Sequence, residues 1–197
     1  DQGISGVVIT TSGPLAAGST NSSYSMGIGG PGGDTIVGFA PAAGRTIHAI
    51  TAVGGVAPDL HSTIAASASF AGSTNSRALG INNNGDVVGQ ARVGSAYTAF
   101  YLPSGGSAAA VPLIASTTST DSIAMSVNDS GVVVGFDYSG NWNFGLEGSL
   151  GGGVNHPQAF SWAGGSATSL GALGTGTDSI ATAVLAAPLV AGHLATG

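Results

Sequence analysis

Cysteine and lysine are both missing from this 197-residue chain. The first absence excludes disulfides, thiolate metal sites and cysteine nucleophiles, while leaving the redox compartment open. The second leaves Arg45, Arg77 and Arg92 as the only strongly basic side chains, set against nine acids for a net charge of -6. No basic patch exists, so phosphate-backbone binding has no electrostatic footing and nucleic acid is not expected as a partner. Charged residues amount to 6% of the chain, where an ordinary soluble protein carries about 25%. That scarcity weakens the usual surface defence against self-association. A monomer with such a surface is expected to associate, or to shield itself with hydroxyls and glycans. No apolar run approaches the roughly 18 residues of a membrane span.

What is present is apolar and small. Hydrophobic residues reach 43% and glycine alone supplies 35 positions, which is not the composition of a disordered chain. Arg77–Gly89 (RALGINNNGDVVG) and Ile123–Gly135 (IAMSVNDSGVVVG) are two copies of one pattern. Each reads as a short strand ending in Ile-Asn or Val-Asn, a glycine-bearing turn, and an apolar strand closing on Val-Gly. Asn84-Gly85 predicts a tight hairpin of type I′, with Ser130-Gly131 as its weaker counterpart. Two further copies run from Ser25 through Pro31-Gly32-Gly33-Asp34 to Gly38, and from Ile180 through Ala187-Pro188 to Gly192. The glycines that close the four copies, Gly38, Gly89, Gly135 and Gly192, lie 51, 46 and 57 residues apart. That period suits one small sheet per repeat.

A second half follows each of the first three hairpins. It begins at Ile47-His48-Ala49-Ile50, Thr98-Ala99-Phe100-Tyr101-Leu102 or Gln158-Ala159-Phe160-Ser161-Trp162. It then passes a glycine-pair turn and ends on Asp59-Leu60, Pro112-Leu113 or Ser169-Leu170. The chain is therefore expected to be all-β, a single domain of about four small antiparallel sheets with a propeller-like arrangement. The unit boundaries fall near 20–72, 73–117, 118–175, and 176–197 together with 1–19. The fourth unit holds only its first hairpin, and the N-terminal stretch reads as an unattached second half: Val7, Val8 and Ile9, a Ser12-Gly13 turn, then Leu15. Those strands are expected to complete the last unit. Within one chain this closes a ring; between neighbouring subunits it propagates a filament.

At these residues the chain resembles the extracellular repeat family named for its His-Ala-Phe signature. The matching positions are Ala78–Asn82, Gly85–Gly89 and Ala99-Phe100, then Ala124–Asn128, Gly131–Gly135 and Ala159-Phe160, with Ser169–Leu173 similar to the closing segment. The signature histidine stands only at His48, with Thr98 and Gln158 elsewhere, and unit one has Ile28-Gly29 in place of Ile-Asn. The resemblance implies secretion and a propeller-like β-repeat fold. It implies no defined activity.

No catalytic constellation stands out, and no cofactor or metal is expected. His48, His61, His156 and His193 have no ligand-like spacing, and a structural reading is favoured for each. Asn82, Asn84, Asp86, Asn128 and Asp129 mimic a calcium loop but sit where turns favour Asn and Asp for backbone reasons. No serine lies in a nucleophile-elbow context, and no carboxylate pair is set out as in a glycosidase. The aromatics Phe100, Tyr101, Phe160 and Trp162 follow the repeat and are expected at sheet interfaces. Trp142 and Phe144, with Tyr138 just before them, lie in or beside an insertion peculiar to unit three, and mark a loop for a glycan or protein partner. Asn21 and Asn128 match the N-glycosylation pattern. The chain begins on Asp1, as expected of a processed, secreted form. These features point to a non-enzymatic extracellular or cell-surface structural protein that assembles with itself into a filament. The alternative is a monomeric four-bladed propeller that binds a glycan or a protein.

Overall fold

The computed structural model describes residues 24–54, 56, 58–115, 118–139, 155–171, 178–185 and 190–194. These form an all-β array of four small antiparallel sheets, none closed into a barrel. Unit one contains β1 (Tyr24–Gly29), β2 (Thr35–Pro41) and β3 (Ile47–Ala52). Unit two contains β4 (Asn75–Ile81), β5 (Val87–Val93), β6 (Ala96–Leu102) and β7 (Ala109–Ala110). Unit three repeats this with β8 (Asp121–Val127), β9 (Val133–Ser139), β10 (Asn155–Trp162) and β11 (Thr168–Ser169). Unit four shows β12 (Ser179–Val184) and β13 (Val190–Leu194). Strands pair in chain order within each sheet. In unit one the fourth strand shrinks to a single bridge between Ile50 and Asp59, and a short helix, α1 (His61–Ala65), follows it.

The glycines that define the period owe their place to a recurring irregularity. In every first hairpin the register slips by one residue, leaving Met26, Leu79, Met125 and Thr182 as bulges. Each bulge lies beside the pair made by the repeat glycine, Gly38, Gly89, Gly135 or Gly192. A bulge bends its strand and sharpens the local twist. A Cβ on Gly89, Gly135 or Gly192 would lie 1.9, 1.9 or 2.0 Å from the carbonyl oxygen of Arg77, Ile123 or Ile180. Only glycine permits that approach.

The turns are wider than the tight hairpins predicted from Asn84-Gly85 and Ser130-Gly131. The Asn82 carbonyl accepts the Gly85 N–H at 3.2 Å and the Asn82 N–H reaches the Asp86 carbonyl at 3.1 Å. Asn83 and Asn84 thus become the central pair, and Gly85, at φ 87°, closes the loop. Asn128 to Val132 repeats this with Gly131 at φ 76°. The reason is the asparagine side chain: Asn82 Oδ1 accepts the Asp86 N–H and Asn128 Oδ1 accepts those of Ser130 and Val132. That side-chain clasp fits a five-residue loop rather than a two-residue one.

Consecutive sheets pack face to face, the first strand of each lying across the sheet before it: β4 on unit one, β8 on unit two, β12 on unit three. A cluster of Phe39, Leu79, Ile123, Phe136 and Tyr138, with Ile180 against it, draws residues from all four units. Among the described residues the array stays open. First strands of neighbouring units pack on one another, whereas β1 and β12 make no comparable contact. The strands expected around Val7, Val8, Ile9 and Leu15 lie outside the described residues, as do Asn21, Trp142 and Phe144.

Candidate assembly interface

Among the described residues the joint between units is built three times from equivalent residues. From the leading unit come a second-strand valine and a third-strand alanine: Val37 and Ala49, Val88 and Ala99, Val134 and Ala159. From the following unit come a first-strand alanine and a β-branched residue: Ala78 and Ile81, Ala124 and Val127, Ala181 and Val184. Small residues allow the sheets to approach closely, and larger ones are added where a joint has room. Ile64 and Phe70 fill the first joint; Val111 and Ile114 fill the second beside Phe160 and Trp162. Phe100 meets Phe70 edge to face at 6.2 Å, and Tyr101 tilts against Trp162 at 5.5 Å. The aromatics that follow the repeat are therefore interface fillers.

One polar contact recurs at all three joints, and the strand pattern did not reveal it. The main-chain N–H of the third-strand alanine donates to a serine Oγ on the next unit: Ala49 to Ser76 at 3.0 Å, Ala99 to Ser122 at 2.9 Å, Ala159 to Ser179 at 2.9 Å. All three serines are buried. The signal was present in the sequence as a serine two residues before Ala78, Ala124 and Ala181, but in a Ser-rich chain it blends with loop composition. A second ladder runs along the turns. Asn82 Nδ2 donates to the Asn128 carbonyl at 2.9 Å, and Asn128 Nδ2 donates to the Leu185 carbonyl at 3.0 Å. Gly30 N–H reaches the Asn82 carbonyl at 2.8 Å. Outside these, Asp129 receives the Asn83 N–H and amide at 2.9 and 2.8 Å. The oxygen-rich turns thus hold units to one another. Gly29 replaces asparagine in unit one because a Cβ there would come within 2.9 Å of the Ile81 carbonyl. Asn128, the glycosylation candidate, is buried with its amide engaged in this ladder.

The histidines distant in sequence are partly brought together. His48 and His61 stack with ring centroids 4.1 Å apart. His48 Nδ1 lies 2.8 Å from Asp59 Oδ2, and His61 Nδ1 lies 2.9 Å from Ser76 Oγ, the bolt of the first joint. Burial, then the neighbouring His48, lowers the His61 pKa, against smaller raising effects of Asp59 and the Ser73 backbone. In the tautomer with Nδ1 unprotonated, neutral His61 accepts a hydrogen bond from the Ser76 hydroxyl, whose Oγ also accepts the Ala49 N–H,. Ser76 is 1% exposed, out of reach of a substrate, so this arrangement braces a joint. Among the described residues no group of three or more His, Cys, Asp or Glu is placed to hold a metal ion. Nor is any described helix long and apolar enough to cross a membrane.

Tyr138, grouped from sequence with Trp142 and Phe144 as a partner-binding loop, requires correction. It is 1% exposed in the cluster shared by all units, and its hydroxyl donates to Gln90 Oε1 at 3.3 Å. Both faces of β9 (Val133–Ser139) are buried as far as Tyr138, and the two-residue period sets Tyr138 beside Phe136,, so it is core rather than contact surface.

At the two ends of the described array, the positions equivalent to joint residues are exposed. Ile28 occupies the register position of Ile81, Val127 and Val184, yet it is 66% exposed while Val127 and Val184 are 6% and 7%. Its neighbour Met26 is also exposed. At the other end Ala191 and Gly192 are exposed, whereas their counterparts Val37, Val88 and Val134, and Gly38, Gly89 and Gly135, are buried. No protein-family model, curated protein or solved structure matches the chain.

Proposed function

We propose that this is a secreted, non-enzymatic structural β-repeat protein whose subunits join end to end into an extracellular or cell-surface filament. The observation that carries the reading is the half-made joint at each end, Ile28 on one face and Ala191-Gly192 on the other. A head-to-tail contact of this kind is heterologous and does not close on itself unless its rotation returns to the start. The chain's 6% charge content offers little to oppose such contact,. The extracellular setting rests on the resemblance to the His-Ala-Phe repeats. A second reading, a monomeric four-bladed propeller binding a glycan or protein, draws support from the hydrophobic cluster shared by all four units.

Sedimentation and negative-stain imaging separate the two. Filaments are expected from the intact chain, and Ile28→Asp is expected to leave folded monomers of 18.7 kDa, because a carboxylate cannot be buried unpaired in the joint. A wild-type protein that remains a compact monomer at high concentration sinks the filament reading.

A further inference from the structure

Strand β13 (Val190–Leu194) has one hydrogen-bonded neighbour, β12, among the described residues. Its counterparts β2, β5 and β9 each have two, the second being the third strand of their own unit. Those three precedents set a common register. The residue facing the repeat glycine is large and apolar: Ile50 faces Gly38, Phe100 faces Gly89, Phe160 faces Gly135. The residue before it is alanine in every case, and the residue after it faces Val37, Val88 or Val134. A strand joining β13 in this register places a small residue and then a large apolar one across from His193 and Gly192, with the next side chain across from Ala191.

We propose that β13 is an acceptor edge for residues 6–9 of a second copy of this chain, seated antiparallel with Val7 opposite Gly192 and Val8 opposite Ala191. The inference rests on the end-to-end reading above and names its contact. Gly6-Val7-Val8-Ile9 supplies the small-then-large step, and a Ser12-Gly13 turn follows Val7 by six residues to the glycine. In the complete units the matching intervals, Ile50 to Gly54, Phe100 to Gly105 and Phe160 to Gly164, are four, five and four residues. The other small-then-large step, Gly3-Ile4, is followed at once by Ser5-Gly6 and lacks the apolar continuation. The occupant comes from a second copy because an own-chain strand on β13 would lead within fifteen residues, from Ile9 to Tyr24, into β1. In the three made joints the first strand that follows a third strand lies across the unit just left, β4 on β3, β8 on β6 and β12 on β10, whereas β1 and β12 make no comparable contact among the described residues. Between copies the same geometry completes the interface: the donated strand leads into the donor's β1, and Ile28 there covers the acceptor's unit four. Main-chain pairing supplies the adhesion and the glycine step fixes the register.

The chain's lack of cysteine allows a direct test. Chains carrying Val8→Cys are mixed with chains carrying Ala191→Cys, assembled, and oxidised with diamide. Directly facing residues on paired strands lie within disulfide reach, so a disulfide-linked dimer is expected on denaturing gels. Val7→Cys with Ala191→Cys is expected to give at least tenfold less, because adjacent side chains point to opposite faces. Equal linkage from both pairs, or none from either while filaments still form, overturns the strand register and leaves end-to-end assembly standing. A doubly substituted chain, Val8→Cys with Ala191→Cys, that closes only on itself overturns the second copy as occupant. Absence of both linkage and filaments removes this inference together with the filament reading.

Discussion

Gly135 shows how much a single missing methyl group can specify. It faces Ala124 beside the Met125 bulge, and a side chain there would collide with the Ile123 carbonyl 1.9 Å away. The obstacle is main chain on both sides, so no rotamer change relieves it. Gly135→Ala is expected to destabilise the fold by about 3 kcal/mol, the upper range for overpacking, read from the urea midpoint. Two buried titratable groups act at the same scale with opposite signs. His61 is held neutral, its pKa below the ordinary 6.5. The unfolded chain therefore binds more protons as the pH drops through that value, and the His61 contribution, present above it, is lost with acidification. Asp137 is 0% exposed, with Oδ2 taking the Ile114 N–H, and burial raises its pKa from 3.8 to about 6. Its folded form keeps a proton that the unfolded form releases, so that contribution is present below 3.8 and lost as the pH rises through about 6,. Denaturation midpoints measured from about pH 4 to about pH 7 are expected to show the two partly cancelling. Asp137→Asn leaves a steeper loss of stability toward acid, and His61→Gln a flatter one. Identical pH profiles for all three proteins refute this assignment.

At the scale of strands and joints, the serine bolts carry the most specific expectation. Ser122→Ala leaves the Ala99 N–H buried without its acceptor. A lost bond of this kind costs about 1–3 kcal/mol, measured by chemical denaturation. Ser179→Ala removes an equivalent bond from the last joint. It is expected to lower local protection of β12 (Ser179–Val184) in hydrogen exchange more than the global midpoint, since terminal elements open independently. The sheet count and the interface aromatics were legible because they recur with the period: Val-Gly within the second strand of units one to three, and alanine followed by Ile or Phe within the third. The serine bolts recur just as faithfully, yet serine is so abundant here that their constancy does not stand out. The His48–His61 stack was illegible for another reason. The residues are thirteen apart with no helical spacing, and only the chain's reversal at Asp59 and α1 (His61–Ala65) brings the rings together. Nearness in sequence to Trp142 groups Tyr138 with the insertion, whereas β9 (Val133–Ser139) is buried on both faces and carries Tyr138 into the core. The Asn-Gly turn was read too short because a side-chain clasp competes with local backbone preference.

Across the whole molecule, four units share three equivalent joints among the described residues, and the matching positions at the two ends, Ile28 and Ala191-Gly192, are exposed. Covering Ile28 alone is worth about 2 kcal/mol, modest for one contact but repeated at every junction of a filament. The backbone edge of β13 (Val190–Leu194) adds directionality that an apolar patch lacks. The expected filament is therefore polar: one end presents Ile28, the other an unpaired strand edge.

Joints that are nearly alike also shape how such a molecule comes apart. Beside the one cluster that all four units share, each unit packs on its neighbours through the joints, and that part of the stability is distributed as nearest-neighbour couplings along a line. Opening then proceeds like a zipper, from whichever end is uncapped. An isolated subunit has two such ends, while a subunit inside a filament has none. Lengthening the filament would therefore protect its interior against heat, denaturant and proteases without changing one contact within the chain.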